Sequence, residues 1–325
     1  MPKRSLPASD GHADLFGTIT APAVVPATQY PPITRRIVDS GGDIATNQPD
    51  RIDFLHAVLC QIGMPRSRTD ERVYERWQGG VGLSIEAGRL GLDGQFVQQP
   101  LPYGVKPRLI MIHISSEAIR TQSPVVDLGH SMREFLDRLG LKSNAGRNGT
   151  LPMFKKQMMA LAACRLTLAV TQGTLNRTVH TQPIDRFDAW LSPDGRQKSL
   201  WPGELELSDR FYQTLAGAAV PLDHRALAAL KHSALALDCY TWLAHRLCRI
   251  KSTTGVNLSW NTLHDQFGQD YANPKDFRKE FRTALRQAAA VYPDAKLEEL
   301  PTGLLLKQSK PPIARTQISV SSPIR

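Results

Sequence analysis

Apolar side chains recur at intervals of three and four residues in several segments of the chain, which is the spacing of one face of a helix. The first such segment, DRIDFLHAVLCQIG, predicts a helix that ends near Gly63 and Pro65. Its inward face would consist of Phe54, Leu55, Val58, Leu59 and Ile62. The preceding 50 residues show no sustained period and are rich in Pro, Ala and Thr, so they are predicted to form a disordered arm.

Residues 108–190 predict three helices followed by a β-hairpin. RLIMIHISSEAIRT (108–121) is typical of a long helix with a mostly buried face, and a shorter helix with Met132, Phe135, Leu136 and Leu139 inside would end at Gly140. A third helix is predicted to begin with Thr150 as its N-cap. RLTLAVTQ and NRTVHTQPIDRFDAWL then suit two strands around a Gly-Thr-Leu turn. This order indicates a winged helix, in which the third helix enters a major groove of DNA and the hairpin forms the wing.

The same order of elements recurs downstream. Residues 223–251 predict a long apolar-faced helix, and SWNTLHDQFG predicts a short one capped by Ser259 and ended by Gly268. A third helix over 274–291, with Asn273 as its N-cap, precedes the hairpin pattern AKLEELPTGLLLKQS. The predicted class is therefore mainly α with small β-hairpins (α+β), as tandem winged-helix domains. The predicted divisions are a disordered arm (1–50), a first winged helix with an N-terminal extension (51–222), a second winged helix (223–310) and a disordered tail (311–325).

The distribution of charge along the chain indicates which class of ligand the protein binds. The net charge is +10 and the pI about 9.6, yet residues 1–100 hold ten basic and eleven acidic side chains, so the excess lies downstream. Between Arg138 and Ile184 there are seven Lys or Arg side chains and no Asp or Glu. An unbalanced basic surface favours a polyanion, because each phosphate contact releases condensed counterions.

Two groups of residues are the candidate DNA contacts. On the helix at 274–291, one stripe of basic residues adjoins the apolar stripe: Lys275, Arg278, Lys279, Arg282 and Arg286. The other group follows the short second helix and continues to the hairpin tip: Lys142, Arg147, Asn148, Thr150, Lys155, Lys156 and Arg177. A solvated helix face with partial pairing to Glu280, and an ordinary turn before the third helix, are the alternatives that the pattern leaves open.

The sequence contains none of the common enzymatic signatures. GxxxxGK[ST], HExxH and GxSxG motifs are absent, and the four cysteines (Cys60, Cys164, Cys239 and Cys248) have no metal-ligand spacing, so they are expected to be reduced core residues. His113, His232 and His245 lie in apolar helical contexts and are expected to be packed. We therefore expect no catalytic residue, no metal and no cofactor. A nuclease is the enzymatic alternative, and it would rest on Asp127, Glu134 and Asp137. No run of about eighteen apolar residues occurs, so no membrane association and a cytoplasmic location are expected.

Several motifs resemble the family of plasmid-encoded RepA-type replication initiators. LPYGVKPRLIMIHISSEAIRTQSPVVDLGHSMREFLDRLGL is similar to the family's LPYG..PRL opening, its TEA.RT.SP helix and its LG.S..EF...LG segment. YERWQGGVGLSIEAG upstream and FGQDYANPKDFRKEFRTALRQAAAVYPDAKLE downstream also resemble family segments. Lys155, Lys156 and Gln157-Met158 match the family's basic positions and its QM, whereas a later Arg of that helix is missing here.

The resemblance implies a function beyond DNA binding. Such a protein would be a non-enzymatic, theta-type initiator that recognises direct repeats (iterons) at a double-stranded plasmid origin in the bacterial cytoplasm. It would help to melt an AT-rich segment and would recruit the host initiator and replicative helicase. One module would also be available for dimerisation, so a homodimer is a candidate assembly. A winged-helix transcriptional repressor is the alternative.

Overall fold

A computed structural model describes residues 31–92, 94–144, 149–187 and 203–314 of the chain. Within these residues the fold is mixed helix and strand, in agreement with the predicted α+β class. The elements up to residue 187 are α1 (Pro32–Thr46), β1 (Ile52–His56), α2 (Ala57–Gln61), β2 (Val73–Gln78), β3 (Val81–Glu86), β4 (Arg89–Leu92), β5 (Gln95–Gln98), α3 (Val105–Thr121), β6 (Val125–Asp127), α4 (Met132–Arg138), α5 (Thr150–Ala163), β7 (Arg165–Gln172), β8 (Leu175–Thr181) and β9 (Arg186–Phe187).

The remaining elements begin after residue 202. They are β10 (Glu204–Glu206), α6 (Asp209–Ala218), β11 (Ala219–Asp223), α7 (His224–Leu230), α8 (Ala234–Arg246), a 3-10 turn (Leu247–Arg249), β12 (Val256–Ser259), α9 (Trp260–Phe267), α10 (Pro274–Ala290), β13 (Leu297–Leu300) and β14 (Gly303–Leu306). We call the part up to α6 the first half and the part from α7 onward the second half.

All described sheets are antiparallel. The largest has the order β2-β3-β7-β8, so the predicted hairpin of β7 and β8 extends a four-stranded sheet. In the second half β14 lies between β12 and β13, which places the predicted hairpin beside the strand that precedes α9. Smaller sheets have the orders β6-β10-β9, β4-β5 and β1-β11.

The helices with strong end signals form where the sequence predicts them. Ser131 caps α4 by accepting from the Glu134 amide, and Ser259 caps α9 by accepting from the amide of Thr262. Asn273 accepts from the Lys275 amide and Pro274 occupies the first position of α10. Thr150 is the first residue of α5 but not its cap, since Gly149 occupies the N-cap position.

Three further local predictions are wrong. Residues 32–46 form α1 instead of a disordered arm, because Ile37 is buried and Gly41 sits against the Ala290 carbonyl of α10. Residues 52–56 form a strand rather than the start of a helix, because they pair with β11. The long helix expected over 223–251 is interrupted, since the Ser233 side chain caps α8 and separates it from α7.

The two halves share one hydrophobic core. Strand β1 of the first half pairs with β11, which leads directly into the second half, and the buried apolar residues of both halves form one cluster. The predicted boundary between residues 222 and 223 therefore lies inside a paired strand. Independent folding of the two halves stays a prediction.

Candidate nucleic-acid interface

Helix α10 has one buried apolar face and one basic face. Phe277, Phe281, Leu285 and Ala288 are each no more than 5% exposed, and they fix the helix on the core of the second half. Of the five predicted basic contacts, Lys275, Lys279 and Arg286 are exposed, whereas Arg278 and Arg282 are half-buried. The basic stripe predicted from the sequence therefore exists on the surface of α10, but its five members are not equivalent.

Two arginines of the stripe pack against Trp260 of α9. The guanidinium carbons of Arg278 and Arg282 lie 5.5 and 4.9 Å from the Trp260 ring centroid, within cation-π distance. The indole Nε1 of Trp260 donates to the Pro301 carbonyl at 3.2 Å, in the turn between β13 and β14. These contacts connect α9, α10 and the hairpin, so the aromatic ring fixes the direction in which Arg278 leaves the helix.

The charge of Arg282 is compensated within the protein. Its Nε donates to the carboxylate of Glu299 on β13, a side chain that is only 11% exposed. The acidic partner of the stripe is thus on the neighbouring hairpin rather than Glu280, on which the alternative interpretation of the sequence relied. Because Glu299 is largely buried, breaking this pair would leave its carboxylate poorly solvated, so Arg282 is less available to an external anion than Lys275, Lys279 and Arg278.

The start of α5 has no side-chain cap within the described residues, although the Leu151 amide in its first turn donates to the Asn144 carbonyl at 3.3 Å. Its N-cap, Gly149, makes no side-chain capping bond, and the first turn contains no acidic residue. Backbone N–H groups and the helix dipole at such an end attract an anion. Thr150 in this turn is half-buried, Lys155 is half-buried, and Lys156 is exposed.

The other predicted contacts of the first half are dispersed. Lys142 is exposed after α4, whereas Arg147 and Asn148 lie outside the described residues. Arg177 is exposed on β8 opposite Val170, near the Gly173 turn of the hairpin. The predicted set therefore falls into a group around the start of α5 and a single arginine near the hairpin tip.

Two of the three carboxylates that a nuclease would need have other partners, and the third, Asp137, is exposed. Arg138 donates to Asp127 at 3.1 Å and to Glu134 at 2.7 Å. The Gly129 amide and Arg138 hold the pKa of Asp127 below its usual range, and the His130 amide and Arg138 do the same for Glu134. Across the described ranges, no three His, Cys, Asp or Glu side chains are grouped so that they could hold a metal ion.

The buried thiols and the His113 imidazole lie in apolar surroundings. Cys60, Cys164 and Cys239 are buried free thiols whose pKa values burial raises, and Cys248 is a half-buried free thiol. Burial lowers the pKa of His113 to about 4, and neither of its ring nitrogens has a hydrogen-bond partner in the part of the chain that the structure describes. None of the described helices is long and apolar enough to cross a membrane.

The LPYG..PRL motif performs a structural task that sequence reasoning missed. Arg108 of α3 is buried and donates to both carboxylate oxygens of Asp238 on α8, at 2.7 and 2.8 Å, which joins the two halves. It also donates to the carbonyls of Met64 (2.5 Å), Pro65 (3.0 Å) and Gly104 (2.8 Å). The only local signal was a charged residue within an otherwise apolar helical face.

The end of this motif also anchors α5. The backbone amide of Tyr103 donates to the side-chain Oε1 of Gln157 at 2.7 Å, and Gln157 is 2% exposed. Gly104 has a φ of 82°, which favours glycine, and it precedes the first residue of α3. The Gln157 that matches the RepA pattern therefore positions the helix that carries Lys155 and Lys156.

Comparison with known proteins gives one family match. Residues 101–262, about half of the chain, match the family model described as "Plasmid encoded RepA protein". The match includes the LPYG block and confirms the resemblance to RepA-type replication initiators seen in the sequence. Among curated proteins, none matches the chain.

One solved structure shows a more distant similarity. It is a crystal structure of selenomethionine derivatives of domain 2 and domain 3 of RctB, with 10% sequence identity and a TM-score of 0.45. The similarity covers 77% of this chain and 95% of that chain.

Proposed function

Because this chain belongs to the family of plasmid-encoded RepA-type replication initiators, we propose that it binds repeated sites in a double-stranded plasmid origin through two winged-helix modules. Binding would promote opening of the origin and recruitment of the host initiator and replicative helicase, in the bacterial cytoplasm and without catalysis by the protein itself. A homodimer is part of the proposal as one assembly of the chain.

The basic face of α10 is the observation that carries this proposal. In the second half the order is α8, β12, α9, α10, β13 and β14, with β14 between the other two strands. This order supports the proposal of a winged helix in which α9 supports a recognition helix α10 and the β13–β14 turn forms the wing. The Trp260 ring then supports Arg278 in a fixed orientation, which suits bidentate recognition of a guanine edge.

The first half supplies the second proposed module. Helices α3, α4 and α5 followed by β7 and β8 have the corresponding order, although β7 pairs with β3 in a larger sheet. We assign to it backbone contacts by Lys142, Arg147, Asn148, Thr150, Lys155, Lys156 and Arg177. The lack of a side-chain cap at the start of α5 supports this assignment, because free backbone N–H groups at a helix start bind phosphate.

The experiment that tests the function is recovery of bound DNA. The protein is isolated with its DNA from plasmid-bearing cells, and the DNA is sequenced. We expect enrichment of direct repeats beside an AT-rich segment on the plasmid. Enrichment at chromosomal promoters instead would favour the repressor, and the absence of any enriched sequence would overturn specific binding.

A variant pair then tests α10 on the recovered sequence. Arg278→Ala is expected to lower affinity for the recovered site by about 5- to 150-fold while affinity for unrelated DNA changes little, since one bidentate base contact contributes about 1–3 kcal/mol. Arg68→Ala is the matched control, because Arg68 is an exposed arginine whose partner is Asp70, at 3.6 Å. Equal loss of affinity for both DNAs would show that Arg278 contacts only the phosphate backbone.

A further inference from the structure

Basic side chains without carboxylate partners lie where the two halves meet. The Lys231 amine, just after α7, donates to the Gly140 carbonyl in the turn that follows α4. Arg36 of α1 donates from Nη2 to the Ala229 carbonyl at 2.9 Å and lies 3.2 Å from Nδ1 of His232. The first half and the second half therefore contribute to one small region of the surface.

This region lies between the two sets of proposed DNA contacts. Gly140 is two residues before Lys142, which belongs to the contacts of the first half. On the other side, Nε2 of His232 is 3.2 Å from Oε1 of Gln287, the residue next to Arg286 on α10. These contacts run from the turn after α4, through Lys231 and its chain neighbour His232, to Gln287 of α10.

The two cations of this region, Arg36 and Lys231, have no carboxylate partner among the described residues. In the described part of the chain, no carboxylate lies within 4.0 Å of Arg36 or Lys231, whose polar partners are backbone carbonyls and the His232 ring. Burial, and secondarily the charge of Arg36, lower the pKa of Lys231. Two neighbouring like charges are unfavourable without an anion, so an anion that bridges them would relieve their repulsion.

The end of α1 adds donors to the same region. The helix starts at Pro32 with no side-chain capping bond and with no acidic residue in its first turn. Arg35 in that turn is exposed, and Arg36 follows it. The Nε atom of Arg36 is buried and has no hydrogen-bond partner within the described residues.

We propose that Arg36 and Lys231 form a phosphate-binding bridge that holds the DNA backbone between the two proposed recognition elements. The ligand is the phosphodiester backbone of duplex DNA that spans both modules. The bridge rests on the proposed function, and it makes α1 part of the DNA-binding surface. Because the bridge would contact only the charged backbone, it would contribute equally to the affinity for every DNA sequence.

Salt titration of DNA binding tests the bridge. The probes are random-sequence duplexes of about 40 and about 12 base pairs, long enough for two modules and for one module. The double variant Arg36→Gln/Lys231→Gln is expected to reduce the slope of log K against log[salt] by about 1.8 on the long duplex, since each phosphate contact contributes about 0.9. On the short duplex its slope should equal that of the wild type.

The matched control removes the same charge elsewhere. Lys296→Gln/Lys310→Gln neutralises two exposed lysines that line one cleft. Lys310 also lies beside the C-terminal end of α1, and that end is about 15 Å along the helix from Arg36. Its slope should match the wild type on both duplexes. Lys231→Arg, which keeps the charge, should also retain the wild-type slope.

The possible outcomes separate the bridge from the general function. An unchanged slope for Arg36→Gln/Lys231→Gln on the long duplex, in a protein that still prefers the recovered sequence, would overturn the bridge alone. A wild-type protein with no sequence preference would overturn the proposed function and leave the slope test of the bridge intact. If the double variant does not fold, Lys231→Gln alone is measured, with an expected slope reduction of about 0.9.

Discussion

Replacing Asp238 by Asn should strongly destabilise the protein. Asp238 is the buried carboxylate that accepts two bonds from Arg108 at 2.7 and 2.8 Å, and its Oδ2 also lies 3.7 Å from Nη1 of Arg66. Both guanidinium groups are no more than 7% exposed, so Asn would leave the buried charge of Arg108 without a counterion and that of Arg66 with Asp270 alone, at 3.0 Å. Removing one partner of a buried pair typically costs about 3–5 kcal/mol, and we expect a loss of this size in the free energy of unfolding.

Urea unfolding followed by circular dichroism measures this loss. The volume of the side chain is nearly unchanged in Asp238→Asn, so a cavity would not explain the effect. Asp70→Asn is the control, because its side chain is 97% exposed beside Arg68 and should change stability by less than about 0.5 kcal/mol. A loss below about 1 kcal/mol for Asp238→Asn would refute the reasoning, since the carbonyls around Arg108 would then suffice to hold its charge.

Three further measurements address other parts of the chain. Gly41→Ala should destabilise the protein by about 1–3 kcal/mol, because the new Cβ would lie 2.1 Å from the Ala290 carbonyl oxygen. Gly42→Ala, whose Cβ would have no atom within 4 Å, should stabilise the helix by about 0.5–1 kcal/mol. Thermal melting compares the two variants. His113 has a folded-state pKa of about 4, below its usual 6.5, so the unfolded chain binds the extra proton and stability falls as pH drops from 6.5 to 4. His113 accounts for up to about 3 kcal/mol of this loss in the free energy of unfolding. His113→Leu should therefore flatten the plot of unfolding free energy against pH between 6.5 and 4. Glu299→Gln should steepen the slope of log K against log[salt] for DNA binding by up to about 0.9, because Arg282 would then be free to contact a phosphate. Glu298→Gln removes the exposed partner of Lys307 and should leave this slope unchanged.

The elements with local signals were predictable from the sequence. Helices α4, α9 and α10 each have a capping side chain directly before an amphipathic stretch, so their ends depend on neighbours in sequence. Strand β1 was mistaken for a helix because Phe54 and Leu55 fit either period. Its partner lies in residues 219–223, and only that distant pairing decides between strand and helix.

The candidate site was predictable in its residues but not in its pairing. The positions of Lys275, Lys279 and Arg286 on an exposed face follow from helical spacing alone. The compensation of Arg282 by Glu299 does not, because the two residues are 17 positions apart and meet only when the hairpin folds beside α10. Likewise, Arg108 had no visible partner in the sequence, since Asp238 is 130 positions away.

The pairing of β1 with β11 also has a consequence for biosynthesis. Ile52 pairs with Asp223, so the first strand emerges from the ribosome about 170 residues before its partner. At a translation rate of about 5–20 residues per second, β1 has no pairing partner for roughly 10–30 s. The interval is longer for helix α1, because its Gly41 packs against Ala290, which is synthesised later than β11. Helix α1 and strand β1 are therefore among the last described elements to pack. A nascent protein exposes an unpaired apolar strand that chaperones can bind until the second half has been made.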